Sequence, residues 1–130
     1  MLQVAEKSPR VRGSASESLA LAYLCAHNCT LVQRNALTRY GEIDLIVRDG
    51  DMLVVAEVRY RRNTDFGHPA ATVTRGKQLR IARAAHLWLS GNPLMAAGPI
   101  RFDIVAITGP LDAPHIEWIR NAFEPTIERP

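Results

Sequence analysis

The sequence predicts an α/β domain, a central mixed sheet flanked by helices in the order α-β-β-β-α-β-β. Three observations carry the prediction. Apolar residues recur at helical spacing in the stretch 13–27 and again after Thr74. The runs Glu42–Arg48 and Asp51–Arg59 are rich in Ile, Val and Leu and are joined by Asp49-Gly50, a strong two-residue hairpin signal. Two more strand-like runs, Ile100–Ile107 and Ile116–Ile119, follow the second helical stretch.

Taken in order, the first helix has Ala15, Leu19, Ala22, Tyr23 and Ala26 on its apolar side, and Ser14 with Glu17 reads as a capping box at its start. Leu31–Arg34 is a short strand, followed by a polar connection with Asn35, Thr38 and Arg39. After the hairpin, residues 61–71 form a loop with Gly67 and Pro69. Thr74 caps the second helix, which runs to about Leu89 and stops at Gly91-Asn92-Pro93. Its apolar face is Ile81, Ala85, Trp88 and Leu89. Gly109-Pro110 turns the chain into the last strand.

A chain of 130 residues is enough for one domain with its own core. The expected organisation is a flexible segment over residues 1–12, a single domain over 13–123 and a tail over 124–130. No segment approaches the roughly 18 continuous apolar residues of a membrane span, and the start lacks the apolar region of an export signal, so the expected location is cytoplasmic, with no membrane partner. The two cysteines, Cys25 and Cys29, read as free thiols, and Cys25-x-His27-x-Cys29 is not a usual zinc spacing. The net charge of +3 does not by itself mark a nucleic-acid binder. Its distribution says more. Arg59, Arg61, Arg62, Arg75, Lys77, Arg80 and Arg83 face a single acid, Asp65, within one stretch, enough to neutralise several phosphates. Lys77, Arg80 and Arg83 recur at three-residue steps along one helix side. The alternative for these three is an ordinary solvated helix face.

A two-residue Asp49-Gly50 turn would pair Arg48 with Asp51 and fix the register of the hairpin. One face is then apolar throughout (Val47, Leu45 and Ile43 with Met52, Val54 and Ala56) and needs a helix over it. The other face turns acidic toward the open end: Asp44 opposite Val55, Glu42 opposite Glu57, then Arg59. Opposed carboxylates repel unless a cation sits between them. Two cations compete for that place. Arg59, with Arg39 or Arg101, could close an ion-pair cluster; a hard divalent ion, which prefers carboxylate oxygens, could do the same. A metal held by few carboxylates keeps positions for water and phosphate oxygen, the arrangement used for phosphodiester hydrolysis.

The run Gly41-Glu42-Ile43-Asp44-Leu45-Ile46, then Glu57-Val58-Arg59, Phe66-Gly67-His68-Pro69, Lys77-Gln78, Arg101-Phe102-Asp103 and Asn121-Ala122-Phe123 resembles the YraN-like family of bacterial proteins. That family is similar to the PD-(D/E)xK nucleases of the restriction-endonuclease-like fold and to Holliday-junction resolvases. The resemblance implies that fold, and a DNA endonuclease using Mg2+ or Mn2+, with branched DNA among its substrates. Asp44 then stands for the first motif's aspartate, Glu57-Val58-Arg59 for the (D/E)-x-K element, Glu17 for the first-helix glutamate, and Gln78 for a polar position near the site. Asp44, Glu57 and Arg59 are the implied catalytic residues; Asp44 and Glu57, supported by Glu42 and Glu17, are the implied metal ligands. Arg61, Arg62, Arg75, Lys77, Gln78, Arg80 and Arg83 are the expected nucleic-acid contacts. The departure is Arg59, where the motif has lysine. A guanidinium stays charged and suits phosphate, and it is a poor general base. A noncatalytic DNA- or RNA-binding protein, and a scaffold whose acids form an ion-pair network, therefore stand as alternatives. The resolvase likeness also implies a homodimer, although no patch in the sequence marks a two-fold interface.

Overall fold

The structure, a computed structural model, describes residues 9–125, with side chains from Ser14 onward. The expected terminal segments, 1–12 and 124–130, lie outside the described residues except for 9–12 and 124–125. Helix α1 (Pro9–Ala26) leads into strands β1 (Cys29–Thr38), β2 (Gly41–Asp49) and β3 (Met52–Arg61); helix α2 (Arg75–Ser90) follows, then β4 (Ile100–Thr108) and β5 (His115–Ile119). Short 3-10 turns at Pro69–Thr72 and Pro93–Ala97 flank α2. The five strands lie in sequence order in one sheet, antiparallel except for β3 beside β4. This is the α/β architecture and element order expected. The α2 crossover is what allows the parallel pair, since parallel neighbours need a long connection.

Each face of the sheet is covered by one helix. Ala20 and Leu24 of α1 pack with Leu45, Val47, Val54, Ala56, Val105 and Ile107. On the opposite face, Ile81, Ala84, Ala85 and Trp88 of α2 pack with Ile46, Leu53, Val55 and Ile104. Thr74 caps α2 as expected, its hydroxyl accepting from the Lys77 N–H at 3.3 Å. No helix among the described residues is long and apolar enough to cross a membrane.

Three expectations are corrected. Helix α1 begins at Pro9, so Ser14 lies inside it and the Ser14/Glu17 capping box does not form. Glu17 instead turns toward β1. The buried stripe of α1 is Ser16, Ala20 and Leu24, one residue every helical turn, while Ala22 and Ala26 are exposed. Alanine is apolar enough to suggest a face and too small to dictate one.

The third correction is the hairpin register. Asp49 pairs with Met52 and Leu45 with Ala56, so the turn residues are Gly50 and Asp51. Glycine therefore takes the first turn position, where φ is +62°, a conformation that other residues adopt only at a cost. Every partner moves by two residues, which preserves which side chains share a face but changes who opposes whom. Ile43 also leaves the face that strict alternation assigned to it and packs on the α2 side with Ile46. That break coincides with the end of the β2–β3 ladder at Leu45/Ala56 and with left-handed backbone at Asn35 of β1 (φ +54°).

Candidate active site

The corrected register, continued one place beyond Leu45/Ala56, brings Asp44 abreast of Glu57 where the hairpin opens. Here the Asp44 side chain does what a ladder carbonyl does elsewhere: its Oδ2 accepts the Val58 N–H at 2.9 Å. Glu57 is buried, with 7% of its surface exposed. One of its oxygens, Oε1, meets the Arg59 guanidinium at 2.8 Å; the other, Oε2, is buried and, while both acids are charged, has no donor among the described residues, and the Arg59 Nε is buried without an acceptor among them. Arg59 thus compensates only part of the pair.

The electrostatics follow. Burial, then the neighbouring Asp44 charge, pushes the Glu57 carboxyl up to about 8, helped by a hydrogen bond from its protonated form to Asp44 and opposed by the pull of Arg59 and Arg80. Burial likewise pushes Asp44 up to about 6, opposed by the Val58 N–H. The two titrate as a pair rather than as independent acids. A group that must hold charge here lacks enough positive charge to do so.

Glu17 and Glu42 form an outer pair around the amide of Asn35, which donates to both, at 2.7 Å to Glu17. Glu17 also lies 3.7 Å from Arg34. The predicted opposition of Glu42 and Glu57 across the hairpin is not present: the β2–β3 ladder ends at Leu45/Ala56, in a register two residues away from the one that would pair them. Asn35 is the residue that sequence reasoning missed, since it read only as part of a polar connection. Its signal was weak, an asparagine between Arg34 and Ala36, where left-handed backbone suits it.

A shallow cavity of about 50 Å3 opens onto Glu57 of the inner pair, lined by Tyr40, Gly41, Glu42, Glu57, Arg80, Ile81 and Ala84. Of the predicted basic contacts, Arg80 reaches this cavity from α2. Arg61, Arg62, Arg75 and Arg83 are exposed, and Lys77 is half-buried. The Gln78 amide donates to the Val73 carbonyl at 3.1 Å and so serves the start of α2. Neither alternative arginine joins the acids: Arg101 binds Asp103 and Asp49, and Arg39 lies over Tyr40. Cys25 is exposed and Cys29 buried, both free, as expected.

Among the described residues, no three His, Cys, Asp or Glu side chains already converge on a point that could hold an ion. Two carboxylates do face each other. Magnesium is commonly held by one or two carboxylates, with waters and substrate phosphates completing its shell. The unpartnered Glu57 Oε2 beside Asp44 fits that donor set, with hard oxygens and a missing positive charge.

The chain is similar to proteins across several bacteria. It is 45% identical over 115 residues to a UPF0102 protein of Vibrio cholerae serotype O1, an alignment covering 88% of this chain and 93% of that one. It is 46% identical over 112 residues to a UPF0102 protein of Stutzerimonas stutzeri, covering 86% and 93%. With a UPF0102 protein of Chromohalobacter salexigens it shares 49% identity over 117 residues, covering 88% and 92%. The model of the uncharacterised protein family UPF0102 matches residues 16–107, from the buried stripe of α1 to the last buried residue of β4 and so across the whole acidic site. The chain belongs to the UPF0102 family.

Proposed function

We propose that the protein is a nucleic-acid-binding phosphodiesterase, an endonuclease acting on DNA with Mg2+ or Mn2+ held by Asp44 and Glu57. The observation that carries this reading is the buried Glu57 carboxyl, one of whose oxygens has no donor among the described residues unless it shares a proton with the half-buried Asp44 beside it. A structural ion-pair network ordinarily satisfies such an oxygen, because leaving it bare costs on the order of 1–3 kcal/mol or more. When bound, the ion would supply a polarised water and stabilise charge on the phosphate. The chain's own residues would do the rest. Asp44 is positioned by the Val58 N–H, and Asn35 holds Glu17 and Glu42 around the inner pair. Arg80 lines the cavity where a phosphate would approach. Arg59, placed against Glu57, would hold phosphate or keep Glu57 charged rather than accept a proton.

The 2.8 Å pair between Arg59 and Glu57 favours a second reading, a noncatalytic DNA- or RNA-binding protein in which the arginine occupies the cation's place. Labelled branched, duplex and single-stranded DNA, incubated with magnesium or manganese, separates the two. Cutting by the wild type and its loss in Asp44→Ala is the expected result. Binding without cutting by either protein, on every substrate and with both metals, would select the second reading.

A further inference from the structure

The acidic cavity has a neighbour. Tyr40, which lines it, also lines a second cavity of about 230 Å3 together with Arg39, Arg83, His86 and Leu87. This second lining holds two guanidiniums and an imidazole but no carboxylate. Among the described residues neither Arg39 nor Arg83 enters an ion pair, so both guanidiniums face the cleft without a carboxylate counter-charge. Cations gathered around a concave surface without a counter-charge raise the local concentration of anions.

The aromatic wall is held in place by its own turn. The Thr38 hydroxyl accepts the Tyr40 N–H at 3.1 Å and donates to the Gly41 carbonyl at 2.8 Å. Gly41 sits at φ +123°, a backbone conformation that a side chain would strain. Arg39 lies 5.1 Å from the Tyr40 ring centroid and donates to its hydroxyl at 3.3 Å. The turn therefore presents a guanidinium and a ring as one unit facing Arg83, His86 and Leu87 across the cleft. Its volume falls below the roughly 300–1,000 Å3 of pockets that take drug-sized ligands, so the fitting occupant is a small planar fragment with a charge beside it.

We infer that this cleft is a subsite for one unpaired nucleotide adjoining the phosphate at the acidic site, with its phosphate between Arg39 and Arg83 and its base against Tyr40 and Leu87. The assignment rests on the nucleic-acid reading above and narrows it to substrates with a single-stranded or frayed nucleotide beside the cut. A base in an intact duplex is covered by its neighbours, whereas an unpaired base exposes the ring face that an aromatic side chain stacks on.

Fluorescence anisotropy of the full chain with a fluorescein-labelled oligothymidylate and with a blunt duplex of equal length, in EDTA so that nothing is cut, tests it. Tyr40→Ala should weaken oligothymidylate binding about 10-fold and duplex binding less than about 2-fold, while Tyr40→Phe retains the wild-type preference. Arg83→Ala, a surface change, should lower the salt dependence of oligothymidylate binding by about 0.7 in log–log slope, one phosphate contact. Equal losses on both ligands, or no loss in either variant, would overturn the subsite. So would failure of Tyr40→Phe to restore the preference. These readouts need no catalysis. Cleavage with Tyr40-independent binding removes the subsite alone, and Tyr40-dependent binding without cleavage removes only the nuclease reading.

Discussion

Two buried carboxylates sit on adjacent places of the parallel pair β3/β4, where Ala56 lies beside Asp103 and Glu57 beside Ile104, and they are treated in opposite ways. Asp103 is fully buried and fully answered: Arg101 donates at 2.8 and 2.9 Å, the Trp118 indole at 2.8 Å and the Asn121 N–H at 2.9 Å. Arg101 also reaches Asp49 at 3.0 Å, and these contacts hold its guanidinium still more firmly in the charged form. Asp103 thereby ties the end of the β2–β3 hairpin, β5 and the residues leading to Phe123 into one network. Glu57 has one arginine, one bare oxygen and a second carboxylate next to it. A folded protein stabilises a buried charge by surrounding it with donors, as at Asp103. Where a buried acid is short of them, its proton is held more tightly, as at Glu57.

The comparison is sharpened by removing each acid in turn. Asp103→Ala leaves Arg101 and the Trp118 indole without their acceptor and should destabilise the fold by about 3–5 kcal/mol, the usual cost of breaking a buried charge pair. Urea denaturation followed by circular dichroism measures it. Glu57→Gln should go the other way or change little, because it removes the repulsion with Asp44. A loss as large as that of Asp103→Ala would erase the distinction between the two sites.

The next effect is in pH. Glu57 is raised from 4.5 to about 8 and Asp44 from 3.8 to about 6, so the folded form holds protons that the unfolded chain releases. Their contribution to stability is full below the unfolded values and is lost as pH rises through the folded ones. Urea midpoints should therefore fall between about pH 5 and pH 9 for the wild type, and much less for Glu57→Gln. Millimolar Mn2+ should restore most of the loss in the wild type only, since a bound metal favours the deprotonated acids. A midpoint that rises with pH over this window would contradict the unsatisfied pair.

The smallest effect concerns the outer acids. Asn35→Gly keeps the left-handed backbone accessible but removes the amide that joins Glu17 and Glu42. It should weaken Mn2+ binding by roughly 10-fold, as loss of an outer-shell partner does, with little change in melting temperature. Isothermal titration measures the first and thermal denaturation the second. Unchanged affinity would mean that Glu17 and Glu42 do not support the inner pair.

Sequence periodicity alone determined a good deal. The element order, the Thr74-capped helix ending at Gly91 and the location of both late strands follow from local patterns, because alternation, helical spacing and turn residues act over a few neighbours. Even the mistaken turn kept Ile46, Leu53 and Val55 on one face and Leu45, Val47, Val54 and Ala56 on the other, since a shift of two residues leaves the alternation intact. Local signals did not reach the partners. Which residue opposes Asp44 and which stripe of an alanine-rich helix is buried are set by contacts between segments far apart in sequence, whereas the arginines at Glu57, Asp103 and Tyr40 answer groups one or two residues away. Asn35 reaching Glu17 and Glu42, and Arg101 reaching Asp49, are of the first kind. The sequence determined the chemistry available on each element; only tertiary packing, by choosing which charges are buried together and which are left without donors, decided where that chemistry is unsatisfied.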